Sequence, residues 1–167
     1  HKVDSYVGVA RDEGADVVIG GETPGDPALA RGWFYRPTVF AGVKPGMRVE
    51  QEEIFGPALA VVKVGSLDEA IQVNNGVRYG LSSSLYTRDV NAAFRAMSEL
   101  DNGITYVNAP TIGAEAHLPF GGVKQTGNGH REGGWEVYDF YSETKVLYVD
   151  FSGTLQRAQI DTDTLTP

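Results

Sequence analysis

Two adjacent carboxylates in the segment VEQEEIFGPALAVV, residues 49–62, are the strongest candidates for chemistry in this sequence. An ionised carboxylate has two acceptor oxygens and can accept hydrogen bonds from two neighbouring hydroxyl groups, as on a ribose. Glu52 and Glu53 precede a predicted central strand of an α/β sheet, a place where side chains face a ligand crevice. Phe55 is placed to wall off a flat ring, and Gly56 and Pro57 fix the backbone after it. We therefore predict that one of the two acids binds a ligand and that the other is an exposed loop residue.

The remaining candidate groups fit known sites less well. His117 and His130 lie in an irregular loop without a metal-ligand spacing such as HExxH, so we interpret them as ordinary loop histidines and expect no metal. The glycines of residues 127–133 are spaced one residue too long for the dinucleotide fingerprint, and no predicted strand directly precedes them. Their expected role is to let the backbone turn tightly and approach another segment. The serines at 82–84 lack the G-x-S-x-G setting of a nucleophile, and we interpret them as small packing residues.

Composition excludes several classes of protein. The chain has 167 residues, of which 41% are hydrophobic and 22% charged, so it can bury a core and has the length of one domain. Its net charge of −8 argues against nucleic acid and anionic membrane surfaces as partners. The absence of cysteine excludes a disulfide scaffold, a thiolate metal site and a cysteine nucleophile within these residues. It also fits a reducing compartment, and with no signal peptide or membrane-spanning run we expect a cytoplasmic protein.

The spacing of apolar residues and of Gly and Pro predicts the secondary structure. The predicted strands cover residues 16–19, 33–40 (broken by Pro37), 58–64, 82–86, 104–107 and 144–149. The predicted helices begin at the N-terminus, at Ser66, at Thr87 and at Trp135, and a long glycine-rich loop covers residues 109–134. The continuous apolar run of 58–64 is typical of a strand buried on both faces. The helix after Thr87 has one apolar stripe, comprising Val90, Ala93, Phe94, Met97 and Leu100.

Residues 58–108 alternate strand, helix, strand, helix, strand. This order predicts right-handed crossovers and a parallel sheet, and hence an α/β fold.

Four motifs together resemble the aldehyde dehydrogenase superfamily. They occur in that family's order and at its spacing: EEIFGP at 52–57, N-x-x-x-YGLSSSLYTRD at 75–89, GITYVN at 103–108 and PFGGVKQTGNG at 119–129. The resemblance implies an NAD(P)-dependent enzyme in which a cysteine attacks an aldehyde, hydride passes to NAD or NADP, and an activated water hydrolyses the thioester. It implies that Glu53 binds the nicotinamide-ribose hydroxyls and that Phe55 lies beside the nicotinamide end.

The resemblance also implies substrate-binding residues. Phe120 matches an aromatic that lines the substrate tunnel, and residues 109–118 match the loop at the far end of the substrate. The sequences TIGAE at 111–115 and GLSSS at 80–84 look like the aminoadipic-semialdehyde dehydrogenase branch, which resembles the pyrroline-carboxylate dehydrogenases. In these enzymes loop amides bind a distal carboxylate. Gly113 and Ala114 offer such amides, whereas Ile112 replaces the serine of that branch.

In the family, the nucleophilic cysteine, the general-base glutamate, the oxyanion asparagine and the cofactor-binding Rossmann half all precede EEIFGP. We therefore expect the chain, which begins with His1 rather than Met, to be a C-terminal fragment that is inactive alone. Residues 1–134 would be the distal part of the catalytic domain, with a partial parallel, Rossmann-like sheet. Residues 135–167 would be an oligomerisation strand and tail, with Thr144–Asp150 joining a homo-oligomer, a dimer or tetramer. The alternative is a stand-alone assembly module or pseudo-enzyme, which a natural mass near 18 kDa would favour.

Overall fold

The computed structural model describes residues 2–113 and 115–153. The helices are α1 (Lys2–Asp12), α2 (Arg48–Gln51), α3 (Leu67–Asn75), α4 (Val90–Glu99) and α5 (Glu136–Tyr141), with a short 3-10 helix over Pro27–Leu29. The strands are β1 (Asp16–Ile19), β2 (Thr38–Val43), β3 (Ala58–Val62), β4 (Tyr79–Gly80), β5 (Ser82–Leu85), β6 (Ile104–Val107) and β7 (Val123–Lys124). Among these helices, none combines the length and the apolar character needed to span a bilayer.

The main core belongs to the first 62 residues. Strands β1, β2 and β3 form one sheet, in which β1 and β2 are antiparallel and β2 and β3 are parallel. Helix α1 places its apolar stripe against this sheet, as its helical spacing predicts, and Phe40 of β2 is completely buried. The buried cluster comprises Tyr6, Val7, Ala10, Ala15, Phe40, Val43, Val49 and Ile54. This core therefore anchors both sides of the segment that carries Glu52 and Glu53.

The second half of the chain contains two smaller sheets. β5 and β6 are parallel and in register from Ser82–Ile104 to Leu85–Val107, with α4 as the crossover between them. β4 pairs with β7 in an antiparallel sheet, which ties the glycine-rich loop to the end of α3. The parallel pairs confirm the predicted α/β class. The expectation of one sheet through residues 58–108 was wrong, because the alternation of elements determines their type but not which strands pair.

The second strand lies later in the chain than its composition predicts. Strand β2 begins at Thr38, directly after Pro37, rather than at Trp33. Proline has no backbone N–H to donate to a sheet, so it marks the boundary of the strand instead of a break within it. The Thr38 N–H donates to the Pro57 carbonyl at 2.8 Å and joins the start of β2 to the start of β3.

The two central helices begin with different caps. Ser66 accepts a hydrogen bond from the Glu69 N–H at 3.1 Å, as predicted, and the Glu69 carboxylate accepts from the Gly65 N–H at 2.6 Å. Helix α4, however, is capped by Asp89, whose carboxylate accepts from the backbone N–H groups of Asn91 at 2.8 Å and Ala92 at 3.4 Å. Thr87 instead accepts from the Asp89 N–H at 3.1 Å. The predicted cap at Thr87 was therefore wrong by two residues.

Apolar faces that the sequence predicts to be buried are exposed in the described chain. Along β3, alternate residues pack on the core, while Leu59 on the other face is 59% exposed. On α4 the predicted stripe buries little, and Phe94 is 66% exposed. A strand that is apolar on both faces needs a packing layer on each side, and the described residues supply one.

Residues 144–149 do not form the predicted strand. None of the strands among the described residues includes Thr144–Asp150, and this segment is exposed along its length. A strand exists only where a ladder of hydrogen bonds joins it to a neighbour, and its β-branched and aromatic composition cannot supply that neighbour. The sequence predicts that this strand pairs with a second subunit, and a single chain has no such neighbour. The strand and its pairing therefore stay a prediction.

Candidate functional site

Glu53, the predicted ligand-binding acid, lies between two residues that are anchored by contacts with the rest of the chain. Glu52 ends α2 in an extended conformation with φ −111° and ψ 146°. Ile54 is 8% exposed and belongs to the main core, whereas Glu53 is exposed. Because successive side chains of an extended segment point to opposite sides, anchoring Glu52 and Ile54 directs Glu53 outward. The Glu53 carboxylate is therefore presented to solvent on an anchored backbone.

Phe55 adopts a backbone conformation that bulky residues rarely adopt. Its φ is +54°, in the left-handed region, and its side chain is 84% exposed. A left-handed conformation costs on the order of 1 kcal/mol or more for a residue with a Cβ. Because the Phe55 ring is exposed, its burial does not offset this cost. Burial of the ring therefore does not account for the backbone conformation of Phe55.

The Gly-Pro break docks the turn against the first helix. A Cβ added to Gly56 would lie 2.4 Å from Cγ2 of Val3 on α1, so any side chain here would require Val3 to shift. The Pro57 carbonyl accepts the hydrogen bond from the Thr38 N–H, which links the turn to β2. The turn from 52 to 57 is therefore fixed by α1 on one side and by the sheet on the other.

An open cleft of about 540 Å³ lies beside this turn. Its lining comprises Val49, Glu52, Ile54, Phe55, Gly56, Ala58 and Ala60. The wall is apolar except for Glu52, and Phe55 contributes the aromatic surface. Glu53 does not line the cleft but adjoins it in sequence between two lining residues. A flat ring can lie against such a wall, and a neighbouring exposed carboxylate can accept hydrogen bonds from a sugar diol. These residue types suit the nicotinamide riboside end of a dinucleotide.

Glu52 has a different environment from the loop acid that the sequence predicts. Its carboxylate accepts hydrogen bonds from Arg48 Nε at 2.9 Å and Arg48 Nη2 at 3.0 Å, and from the Tyr6 hydroxyl at 2.8 Å. These donors, Arg48 first, lower the pKa of Glu52 to about 2. The interpretation as an exposed loop acid was therefore wrong for Glu52. The signal in the sequence was Arg48 four residues before Glu52, the spacing of a helical ion pair.

A second cavity, of about 730 Å³, lies between the glycine-rich loop and α5. Phe120 lines it and is half-buried. The backbone of Phe120 exchanges two hydrogen bonds with that of Glu132, at 2.6 and 2.7 Å. His130 also lines the cavity and meets the ring of Phe140 edge-on, with ring centres 5.0 Å apart. The two cavities share no lining residue, so the described chain does not join Phe120 to Phe55 in one site.

Of the other predicted substrate-binding residues, the two that the structure describes, Ile112 and Gly113, line neither cavity. Ile112 is 78% exposed, and Gly113 is exposed with φ +99°. Ala114 lies outside the described residues. In the described ranges, 2–113 and 115–153, no group of three or more His, Asp or Glu side chains could hold a metal ion.

Lys124 fastens the glycine-rich loop and was not singled out from the sequence. Its ammonium donates to the carbonyls of Asn75 at 2.9 Å and Val77 at 3.1 Å, and pairs with the Asp101 carboxylate at 3.1 Å. It thereby joins β7 to the end of α3 and to the turn before β6. A lysine in a glycine-rich loop gives no spacing signal, because its partners are 23 to 49 residues away and two of them are backbone atoms.

Comparison with known proteins decides the family. The sequence profile described as "Aldehyde dehydrogenase family" matches residues 1–147. The chain belongs to the aldehyde dehydrogenase family. The resemblance carried by the four sequence motifs is thereby confirmed. An alpha-ketoglutarate semialdehyde dehydrogenase of Haloferax volcanii is 44% identical over 144 residues, which cover 86% of this chain and 30% of that protein. This chain thus spans about a third of the length of such a relative.

Solved aldehyde dehydrogenase structures share the fold. An NAD-dependent aldehyde dehydrogenase from Sinorhizobium meliloti is 35% identical and superimposes with a TM-score of 0.83, over 93% of this chain and 30% of that one. Betaine aldehyde dehydrogenase from Staphylococcus aureus in complex with NAD+ is 37% identical with a TM-score of 0.80, over 84% of this chain and 27% of that one. The described architecture is therefore an aldehyde dehydrogenase substructure. The predicted aminoadipic-semialdehyde branch stays a prediction.

Proposed function

We propose that the protein to which this chain belongs is an NAD(P)-dependent aldehyde dehydrogenase, and that this chain helps to position the cofactor. The net reaction converts an aldehyde, water and NAD(P)+ into a carboxylic acid, NAD(P)H and a proton. The cysteine nucleophile and the general-base glutamate lie outside these residues, as the family resemblance implies and as the lack of cysteine requires for the nucleophile. This chain alone is expected to be inactive.

The turn from Glu53 to Phe55 is the observation that carries this proposal. Its strained backbone holds an exposed aromatic ring at an apolar cleft, beside an exposed carboxylate. The cofactor, when bound, supplies the hydride acceptor. Glu53 accepts hydrogen bonds from two ribose hydroxyls, and Phe55 shields the nicotinamide end from water. NAD is the cofactor in the Staphylococcus aureus structure, and the choice between NAD and NADP is open for this protein.

Substitution of Glu53 by Gln in the intact enzyme tests this role. The amide keeps the shape but replaces one acceptor oxygen by a donor, so the cofactor KM should rise about tenfold, equivalent to about 1.4 kcal/mol. The aldehyde KM should stay unchanged. Asp12→Asn is the control, because Asp12 is an exposed acid at the end of α1 and its loss changes the net charge equally. Steady-state kinetics with each substrate varied in turn give the answer, and cofactor kinetics like those of wild type would refute the assignment.

We propose that the aldehyde binds near Phe120 and the loop of Ile112, Gly113 and Ala114. Two features support this proposal: Phe120 lines its own cavity, and Gly113 is exposed in a loop of the kind whose backbone N–H groups can bind a carboxylate. A semialdehyde substrate, whose second group is a carboxylate, agrees with the alpha-ketoglutarate semialdehyde activity named for the Haloferax volcanii relative.

Assembly and location follow from the same proposal. We assign Thr144–Asp150 as the segment that pairs with a second subunit, supported by its exposed apolar side chains, including Val146 and Leu147. The domain division at residue 134 follows the change from the glycine-rich loop to α5. A cytoplasmic location stays a prediction of the cysteine-free sequence.

A further inference from the structure

The proposed function assigns no role to the carboxylate of Glu52, which directly precedes Glu53. Glu52 lines the cleft but already accepts hydrogen bonds from Arg48 and Tyr6. Both of its oxygens are occupied, Oε1 by Arg48 and Oε2 by Arg48 and Tyr6. An acid with both oxygens committed to protein donors is poorly placed to bind ribose hydroxyls as well. Its contribution to the site must come through its neighbours.

The partners of Glu52 come from two different helices. Tyr6 belongs to α1, is buried against the core, and lies with its ring 5.9 Å from the guanidinium carbon of Arg48. Arg48 begins α2, and its backbone N–H donates at 2.9 Å to the carboxylate of Glu13, the residue directly after α1. Helix α1 also reaches the next residue of the turn, because Lys2 Nζ donates to the Glu53 carbonyl at 2.8 Å. The backbone on both sides of the Glu53 side chain is therefore tied to α1.

We propose that Glu52 is a positioning residue of the cofactor site, which uses Arg48 and Tyr6 to fix the direction in which Glu53 and Phe55 leave the backbone. The inference rests on the proposed function. Glu52 and Ile54 anchor the turn on either side of Glu53, so that the Glu53 side chain faces outward. Loss of the Glu52 anchor frees the start of the turn, and the Glu53 carboxylate then samples directions that do not meet the ribose hydroxyls. Small displacements of this kind at a binding group have large effects on the bound geometry.

The chain contains a matched control for this arrangement. Arg95 and Glu99 on α4 form the same four-residue ion pair, with two hydrogen bonds of 2.7 and 3.0 Å, against 2.9 and 3.0 Å for Arg48 and Glu52. Neither residue lines either cavity. Glu99→Gln therefore removes an equivalent surface ion pair without touching the turn.

The test compares Glu52→Gln and Glu99→Gln in the intact enzyme. Calorimetric titration gives the NAD+ dissociation constant, and kinetics give the KM for the aldehyde. Glu52→Gln should weaken NAD+ binding about tenfold and leave the aldehyde KM unchanged, whereas Glu99→Gln should change neither. Tyr6→Phe, which keeps the ring and removes one donor, should weaken NAD+ binding less. Because Tyr6 acts through Glu52, the double variant Tyr6→Phe/Glu52→Gln should bind NAD+ as Glu52→Gln does.

Each other outcome counts against the proposal. If Glu52→Gln lowers only the melting temperature and leaves NAD+ binding intact, Glu52 is an ordinary stabilising residue. Equal weakening by Glu52→Gln and Glu99→Gln would show a general loss of folding rather than positioning. If Glu53→Gln abolishes NAD+ binding while Glu52→Gln does not alter it, the proposed function stands and this inference fails. A wild-type enzyme that binds neither NAD+ nor NADP+ refutes both.

Discussion

At the scale of single residues, two neighbouring glutamates have opposite surroundings. Glu52 is held by an arginine and a tyrosine, whereas the side chain of Glu53 is exposed. The family was predictable from the sequence motifs, whereas the ribose-binding role of Glu53 stays a prediction. The anchoring of Glu52 depends on Tyr6, 46 residues earlier, and no local pattern reveals a contact over that distance.

The strain at Phe55 gives a prediction that separates binding from stability. Phe55→Ala and Phe55→Gly both remove the ring, so both should raise the cofactor KM of the intact enzyme several-fold. Only the glycine variant also relieves the left-handed backbone, and it should be more stable than the alanine variant by about 1 kcal/mol. Thermal unfolding measures the difference. Equal stability of the two variants would show that the backbone at residue 55 is not strained.

At the scale of elements, the cap of α4 can be tested directly. Asp89→Ala should destabilise the protein by about 1 kcal/mol, because it leaves two N–H groups of the first turn without their acceptor. Thr87→Ala should cost less, since it removes a single hydrogen bond that lies before the helix. Chemical denaturation of both variants gives the comparison. A larger loss for Thr87→Ala would restore the cap that the sequence predicts.

The identity of most elements was predictable, and their pairing was not. Helix α1 and strand β1 follow from local spacing, because a helix and its apolar stripe are set within a few residues. The assignment of β3 and β5 to separate sheets depends on contacts between distant segments. The pairing of β4 with β7 depends on glycines that allow close backbone approach. An example is Gly80 in β4, where a Cβ would lie 2.8 Å from Cγ2 of Val123 in β7.

At the scale of the whole molecule, burial is uneven. Of the buried apolar residues in the described ranges, only Ile71 and Ala96 lie outside the cluster formed by the first 54 residues. Local stability follows buried apolar contacts, so the first sheet with α1 should open least readily. Arg48, Tyr6 and Glu52 belong to this most stable part. This suits the proposed role of Glu52, which is to fix the direction of the Glu53 side chain.

The hydrogen bonds of Glu52 with Arg48 and Tyr6 should make the global stability depend on pH. The folded state lowers the pKa of Glu52 from 4.5 to about 2, because Arg48 and Tyr6 donate to its ionised form. The unfolded state then binds more protons between these values, so the stabilisation is complete above about pH 4.5 and is lost as the pH falls towards 2. The pKa of Tyr6 is raised above 10 by its hydrogen bond to Glu52 and by burial, so its contribution is lost at higher pH.

Melting temperatures of wild type and Glu52→Gln across this range provide the measurement. The variant should lose part of the acid-side slope, and the two curves should converge near pH 2. Arg95 also lowers the pKa of Glu99, so Glu99→Gln serves as the reference for an acid-sensitive ion pair elsewhere. Parallel curves for wild type and Glu52→Gln from pH 5 to 2 would contradict the assignment of Glu52 as the titrating group.

Lys124, which contacts three distant parts of the chain, couples their positions. Its side chain donates to the carbonyl oxygens of Asn75 and Val77 and pairs with the Asp101 carboxylate. The glycine-rich loop, the end of α3 and the turn before β6 therefore share one cation. A displacement of any one of these segments strains the contacts that Lys124 makes with the other two.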